Sequence, residues 1–224
     1  MTDPFIEYVS ELVTEHKRAL FDAVLEHRTR HITVVLEDIF QSQNASACLR
    51  TCDCFGVQDV HVIENINELT INRLVVRGAA QWLTIHRHNA HRHNTGPCLD
   101  ALKQRGYRIV ATSSSEGDPV LLPDFDITQK TALVFGTEGD GLSNEATTRA
   151  DAVLKIPMYG FTDCFNISVA LALCLQDLTA RLRNSGVEWH LQDEEKYALR
   201  AEWIENVLEE RLPELEREFR RRTG

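Results

Sequence analysis

Three stretches of this chain place polar or charged side chains where a run suited to a buried strand gives way to a loop and a helix. The stretch Leu133–Ser143 (LVFGTEGDGLS) passes from an apolar run into the glycine pattern G-x-x-G-x-G around a single glutamate, Glu138. Glycines there permit close backbone approach and leave N–H groups free near the carboxylate. The spacing differs from G-x-G-x-x-G, and no Gly-Lys-Ser/Thr follows, which argues against a dinucleotide fold and a P-loop. A second stretch, Gln43–Cys52 (QNASACLRTC), sets Asn44, Ala47 and Arg50 on overlapping faces of a helix start. In the third, a strand ends at Ile156, a loop runs from Pro157 to Phe165, and Asn166 and Ser168 open a long apolar helix. Singly, these patterns also suit a plain tight turn or simple helix caps.

The elements that must position these loops read as alternating strands and helices. Short β-branched or apolar runs at Ile32–Leu36, Val60–Ile63, Leu83–His86, Tyr107–Thr112, Thr131–Phe135 and Val153–Ile156 suit buried strands. Between them, Gln43–Phe55, closed by Gly56, and Pro97–Arg105, closed by Gly106, read as helices. This alternation implies right-handed crossovers and a mostly parallel sheet covered on both faces. In such sheets ligands bind beyond the carboxyl ends of the strands, where the three stretches lie. The helix Asn166–Arg183 is apolar nearly all round, so it must be covered on most sides, and an oligomer interface would supply that cover. Asp3-Pro4 followed by Phe5, Ile6, Val9, Leu12 and Val13 predicts one amphipathic helix to about Glu26. Beyond Gly186, Trp189, Leu199, Trp203, Ile204, Val207 and Leu208 mark a charged helical appendage.

Taken together, NASACLRTCD at Asn44–Asp53, LVFGTEGDGLS at Leu133–Ser143, and IPMYG at Ile156–Gly160 running into FNISVA at Phe165–Ala170 resemble the three signature motifs of the SpoU/TrmH family of RNA ribose 2'-O-methyltransferases. The resemblance spans roughly Ile32 to Arg181. It implies an α/β fold of the SPOUT class: a parallel sheet with helices on both faces and a C-terminal deep trefoil knot. Helical extensions at residues 1–28 and 185–224 would flank a methyltransferase domain at 29–184. The resemblance also implies S-adenosyl-L-methionine as cofactor and a homodimer formed through the knot. It assigns Arg50, Asn44, Glu138, Asn166 and Ser168 to the catalytic site, and Thr112, Gly136, Ile156 and Phe165 to cofactor contacts, chiefly through the main chain. No metal is required.

For the chemistry, the planar fork of Arg50 suits a bidentate grip on an RNA phosphate beside the target ribose. A guanidinium stays protonated in proteins, which makes it a poor general base. Two positions depart from the family pattern. Cys164 stands where serine is common, and Gln43 where histidine or lysine is frequent. Cysteine is the weaker donor, so a contact at Cys164 would be weakened.

The formal charge of −10 excludes indiscriminate attraction to polyanions, so RNA would be held by local basic patches. Candidates are His27–His31, His86–His93 and the tail Arg211–Arg222. The histidines at 86, 88, 91 and 93 are a conceivable metal set, but a surface loop is the simpler expectation. Six cysteines without a secretory signal read as reduced thiols, and Cys48, Cys52 and Cys54 lack zinc-site spacing. No apolar run is long enough to span a membrane, so the expected address is the cytoplasm. The expected substrate is tRNA, at a D-loop guanosine, because Met1–Arg30 is too short for the separate RNA-binding domain of many rRNA-directed relatives. An rRNA methyltransferase and a non-catalytic RNA-binding relative are the alternatives.

Overall fold

The computed structural model describes residues 3–112 and 118–223, so the terminal residues of the two expected extensions, Met1, Thr2 and Gly224, lie outside the described residues. The chain divides into two compact units, one of residues 1–28 with 190–224 and one of Thr29–Trp189.

The smaller unit is helical. It opens with α1 (Pro4–Ser10) and α2 (Glu15–Leu25), where the apolar spacing predicts a single helix. The difference arises at Thr14, whose hydroxyl accepts from the Lys17 backbone N–H and starts a second helix. The turn buries Val13 and leaves Leu12 41% exposed, so those two apolar residues do not share one helical face.

In the larger unit, β1 (Ile32–Glu37), α3 (Ser42–Phe55), β2 (Asp59–Ile63), the short α4 (Arg73–Val76), β3 (Thr84–His88), α5 (Thr95–Gln104) and β4 (Arg108–Thr112) follow in turn. Then come β5 (Val120–Leu121), β6 (Thr131–Phe135), α6 (Asn144–Arg149), β7 (Ala152–Lys155) and α7 (Ile167–Arg183). The seven strands among the described residues are parallel, in the order β3-β2-β1-β6-β4-β7-β5. Six of them fall on the expected runs. The two-residue β5 is too short to leave a periodic signal.

Alternation along each strand builds two cores, one on each face. Val34 and Leu36 join Val60, Leu133 and Phe135 beneath Cys48, Leu49 and Cys52 of α3 and Leu171, Leu175 and Leu178 of α7. Val35 points the other way, with Ile109, Ala132 and Val134, beneath Cys98, Leu99 and Leu102 of α5 and Ala146 of α6. Gly56 ends α3 in the left-handed region at φ 78, where a Cβ would be strained. The chain works outward in one direction from β1 through β2 and β3, and the remaining strands lie on its other side. The order therefore reverses beside β1, which puts a ligand crevice past the carboxyl ends of β1 and β6.

Helix α7 is covered on one side only: Leu171, Cys174, Leu175, Leu178 and Leu182 are buried, while Val169 is 45% and Leu173 40% exposed.

In the smaller unit, α8 (Asp193–Leu208) and α9 (Leu212–Thr223) complete the helical set. Trp203 is its anchor. The Phe21 ring meets it edge-on at 5.6 Å, and the Arg28 guanidinium lies 5.4 Å from its ring centre. No helix among the described residues is long and apolar enough to cross a membrane.

Two expected basic surfaces are corrected. In His27–His31, Arg28, Thr29 and His31 are buried and Arg30 pairs with Asp59 at 3.2 Å, because strand entry and core packing consume them. His86 and His88 lie half-buried on β3 instead of in a surface loop, the exposed Arg87 pairs with Glu64, and His91, Arg92 and His93 are exposed in the turn that follows. In the tail, Arg217, Arg220, Arg221 and Arg222 remain exposed.

Candidate active site

Three loops at the carboxyl edge of the sheet converge on Glu138. The Asn44 amide near the start of α3 donates to Glu138 Oε1 at 2.8 Å, and the Asn166 amide donates to the same oxygen at 2.5 Å. Asn166 also reaches Asn44 Oδ1 at 3.1 Å, and the Ile167 backbone N–H points at Glu138 Oε1 at 3.4 Å. Asn166 Oδ1 caps α7 by accepting from the Ser168 N–H at 3.0 Å and from the Ser168 hydroxyl at 2.6 Å. One carboxylate thus ties together helix starts 122 residues apart in the chain. Charge-assisted bonds of this kind are the stronger class, and the positive end of α7 favours an anionic neighbour.

Four of the five residues expected at the reacting centre, Asn44, Glu138, Asn166 and Ser168, form this connected group. Arg50 does not join it. Six residues beyond Asn44 on α3, it is turned about 120° around the helix axis. Its side chain is exposed.

Beside the cluster lies a cavity of about 380 Å³ lined by Thr112, Gly136, Ile156 and Phe165, all four residues expected at the cofactor. Phe135, Leu154, Ile167 and Ala170 supply an apolar wall, and Asp140, Asp163 and Cys164 a polar one. Its shape depends on Gly136. A Cβ there would come within 2.1 Å of the Gly141 carbonyl oxygen, so the loop can close only over glycine. Reciprocal backbone bonds between Thr137 and Gly141, at 3.0 and 3.1 Å, hold that closure. Cys174 also lines the cavity, and burial, followed by the charge of Asp177, pushes its thiol up to about 12. It is therefore a protonated wall at neutral pH and no nucleophile. Cys48, behind Asn44, is likewise pushed up to about 12, by burial and then by Glu138.

The sequence reading missed Glu37, the last residue of β1. Its buried carboxylate accepts from the Ser143 N–H at 2.9 Å, the Ser143 hydroxyl at 2.7 Å and the Thr95 hydroxyl at 2.6 Å. It thereby fixes the far end of the glycine-rich loop. Its place in the apolar run ITVVLE is the sequence signal for it, since a charge there demands buried partners.

Away from this edge, ring nitrogens of His61 and His88 and the Cys98 thiol lie within 4.8 Å of one another. His61 Nδ1 and His88 Nε2 share a 3.0 Å hydrogen bond, while the buried Nε2 of His61 has no hydrogen-bond partner.

The motifs and their convergence agree with what comparison finds. The model of the SpoU rRNA Methylase family matches residues 31–176, which include every residue of the cluster and the cavity. The chain belongs to this family. It is 44% identical over 203 residues to the tRNA (guanosine(18)-2'-O)-methyltransferase of Borreliella burgdorferi, with 91% of each chain covered. It is 33% identical over 174 residues to the enzyme of that name from Thermus thermophilus, across 78% of this chain and 87% of the relative. The crystal structure of the A. aeolicus TrmH/SpoU tRNA modifying enzyme superposes with a TM-score of 0.77 at 30% identity, covering 87% of this chain and 98% of that one. Within this SpoU chain the departures at 164 and 43 are both exposed side chains, and Cys164 lines the cavity.

Proposed function

We propose that the chain transfers a methyl group from S-adenosyl-L-methionine to the ribose 2'-oxygen of a guanosine in the D-loop of tRNA. The observation that carries this reading is the Asn44–Glu138–Asn166 cluster on the wall of the 380 Å³ cavity. Support for the substrate comes from the relatives named tRNA (guanosine(18)-2'-O)-methyltransferase, which this chain matches over most of its length.

The cavity suits the cofactor. The glycine cradle at Gly136 admits a group against bare backbone, and the apolar wall of Phe135, Leu154 and Ile156 excludes water. When bound, the cofactor supplies a sulfonium methyl group open to displacement by an oxygen nucleophile. The residues of the chain do the positioning. Thr112, Gly136, Ile156 and Phe165 hold the cofactor, mainly through backbone groups. Glu138, fixed by two amides, anchors the start of α7 and sets the site where the ribose oxygen must lie. Arg50 grips a phosphate of the RNA through its two-pronged guanidinium, and the 2' proton passes to that phosphate or to water. Holding both reactants in near-attack geometry supplies up to roughly 7–11 kcal/mol of the barrier.

The same reading takes the C-terminal part of the larger unit as a deep trefoil knot and the molecule as a homodimer through that region. The exposed Val169 and Leu173 on α7 support an apolar contact there. It also places the protein in the cytoplasm and gives the exposed arginines of α9 a role in gripping the tRNA body.

The test is transfer of labelled methyl to unmodified tRNA transcripts and, in parallel, to rRNA. Label on tRNA alone supports the proposal, label on rRNA alone moves the substrate, and cofactor binding without transfer to either points to a non-catalytic RNA-binding protein.

A further inference from the structure

A second cavity, of about 350 Å³, lies on the other side of the glycine-rich loop. The two cavities share Gly136–Asp140 and Ile167, so Glu138 stands on a wall common to both, and Asn44 lines the second. A two-substrate reaction needs a place for each reactant within bonding distance of one point, and this partition provides two chambers meeting at one cluster.

The second chamber has an aromatic at its side. Phe40 is 78% exposed although its neighbour Ile39 is buried in the core. The backbone is set to present it. Asp38, just past the end of β1, adopts φ 51, in the left-handed region that non-glycine residues seldom occupy. Three backbone N–H groups hold it there, those of Asn65, Ile66 and Asn67 donating to Asp38 Oδ1 at 2.8, 2.7 and 3.2 Å. A strained residue so firmly fixed beside a cavity is a mark of a functional site.

Two amides on the chamber wall have defined polarity. Gln41 Oε1 accepts from Asn44, which turns its NH₂ outward as a donor. Asn67 commits its NH₂ to the Asp38 carbonyl at 3.0 Å, which leaves its oxygen as an acceptor. A purine edge carries the matching acceptor and donors.

We propose that this chamber receives the base of the acceptor nucleotide, a purine turned out of the RNA stack, lying on the face of Phe40 with its polar edge toward Gln41 and Asn67. The assignment rests on the ribose methyltransferase reading and extends it to how the nucleotide is held. Extrusion of a base costs least where it is already poorly stacked, as in a loop, and a π-face of any base can lie on an aromatic ring. Loss of one such stack corresponds to about a tenfold to hundredfold fall in affinity.

The experiment compares wild type, Phe40→Ala and Phe40→Tyr in methyl transfer to tRNA, with S-adenosyl-L-methionine affinity and sedimentation measured on each. An abasic ribose at the methylated position serves as a second acceptor. The expected result is a fall of about tenfold to hundredfold in kcat/KM for Phe40→Ala, recovery in Phe40→Tyr, and unchanged cofactor affinity and oligomeric state. The abasic acceptor should cost the wild type at least a similar factor and cost Phe40→Ala less, since only the Gln41 and Asn67 contacts are then left to lose. A Phe40→Ala enzyme with wild-type kcat/KM, or one equally penalised by base removal, overturns the inference and leaves the transferase reading intact. A change in cofactor affinity or oligomeric state would assign Phe40 elsewhere and overturn it too. A wild type that transfers no methyl overturns both.

Discussion

Ser143 gives both its backbone N–H and its hydroxyl to the carboxylate of Glu37, at 2.9 and 2.7 Å, across 106 residues of sequence. The same side chain caps α6 by accepting from the Ala146 N–H at 3.1 Å. The glycine-rich loop that carries Glu138 is thus clamped at its far end by a buried carboxylate on the interior strand β1.

Removing that clamp has a predictable cost. Glu37→Ala leaves the Thr95 and Ser143 hydroxyls and the Ser143 N–H without their acceptor, and stability should fall by about 3 kcal/mol. Glu37→Gln keeps an oxygen for the N–H and should lose less. Urea denaturation measures the first effect, and calorimetric titration with S-adenosyl-L-methionine should show weaker binding in Glu37→Ala.

Two glycines of the same loop make a controlled pair. A Cβ at Gly136 meets Gly141 backbone atoms at 2.1 and 2.3 Å, whereas one at Gly139 meets nothing within 4 Å. Gly136→Ala should therefore weaken cofactor binding by tenfold or more, on the order of 1.4 kcal/mol, while Gly139→Ala stays close to wild type. Equal affinities for the two variants would refute the role given to the Gly136 cradle.

The strands were legible because parallel strands buried on both faces read as apolar runs, and the three loops because glycine and polar residues interrupt those runs. What escaped notice depended on long-range contact. Glu37 has partners 58 and 106 residues away, and nothing adjacent to it announces them. The break at Thr14 was hidden by Leu12 and Val13, which continue the apolar spacing while the backbone turns. The His86–His93 run looked like surface because the period-2 alternation of β3 places histidines where apolar residues would mark a strand. Arg50 was read beside Asn44 by helical spacing, yet a six-residue step separates their directions within one chain.

Acid should destabilise the fold through His61. Burial, and then the charges of His86 and His88, lower its pKa from the ordinary imidazole range near 6.5 to about 3. As pH falls below about 6.5 the unfolded chain takes up a proton that the folded chain refuses. Stability present above that pH is therefore lost between about 6.5 and about 3, by up to roughly 1.4 kcal/mol per pH unit for this one group. Denaturation of wild type and His61→Gln at pH 7.5 and pH 5 should show the smaller pH dependence in the variant.

The exposed face of α7 tests the proposed dimer. Val169 and Leu173 lie one turn apart, and a charge between two such faces would be buried without a partner. Leu173→Glu should sediment as a folded monomer at micromolar concentration, with wild type as a dimer. A wild-type monomer under those conditions would contradict the dimer.

With the Glu138 cluster setting the place of the ribose oxygen and Arg50 holding the RNA phosphate, methyl transfer should go to ribose and depend on Arg50. The most direct measurement is nucleoside analysis of tRNA after labelled methyl transfer by wild type, Arg50→Lys and Arg50→Ala. Wild type should yield ribose-methylated guanosine, Arg50→Lys should show a large loss because the bidentate grip is gone, and Arg50→Ala should yield none detectable. Label on a base, or normal ribose methylation by Arg50→Ala, would contradict these roles.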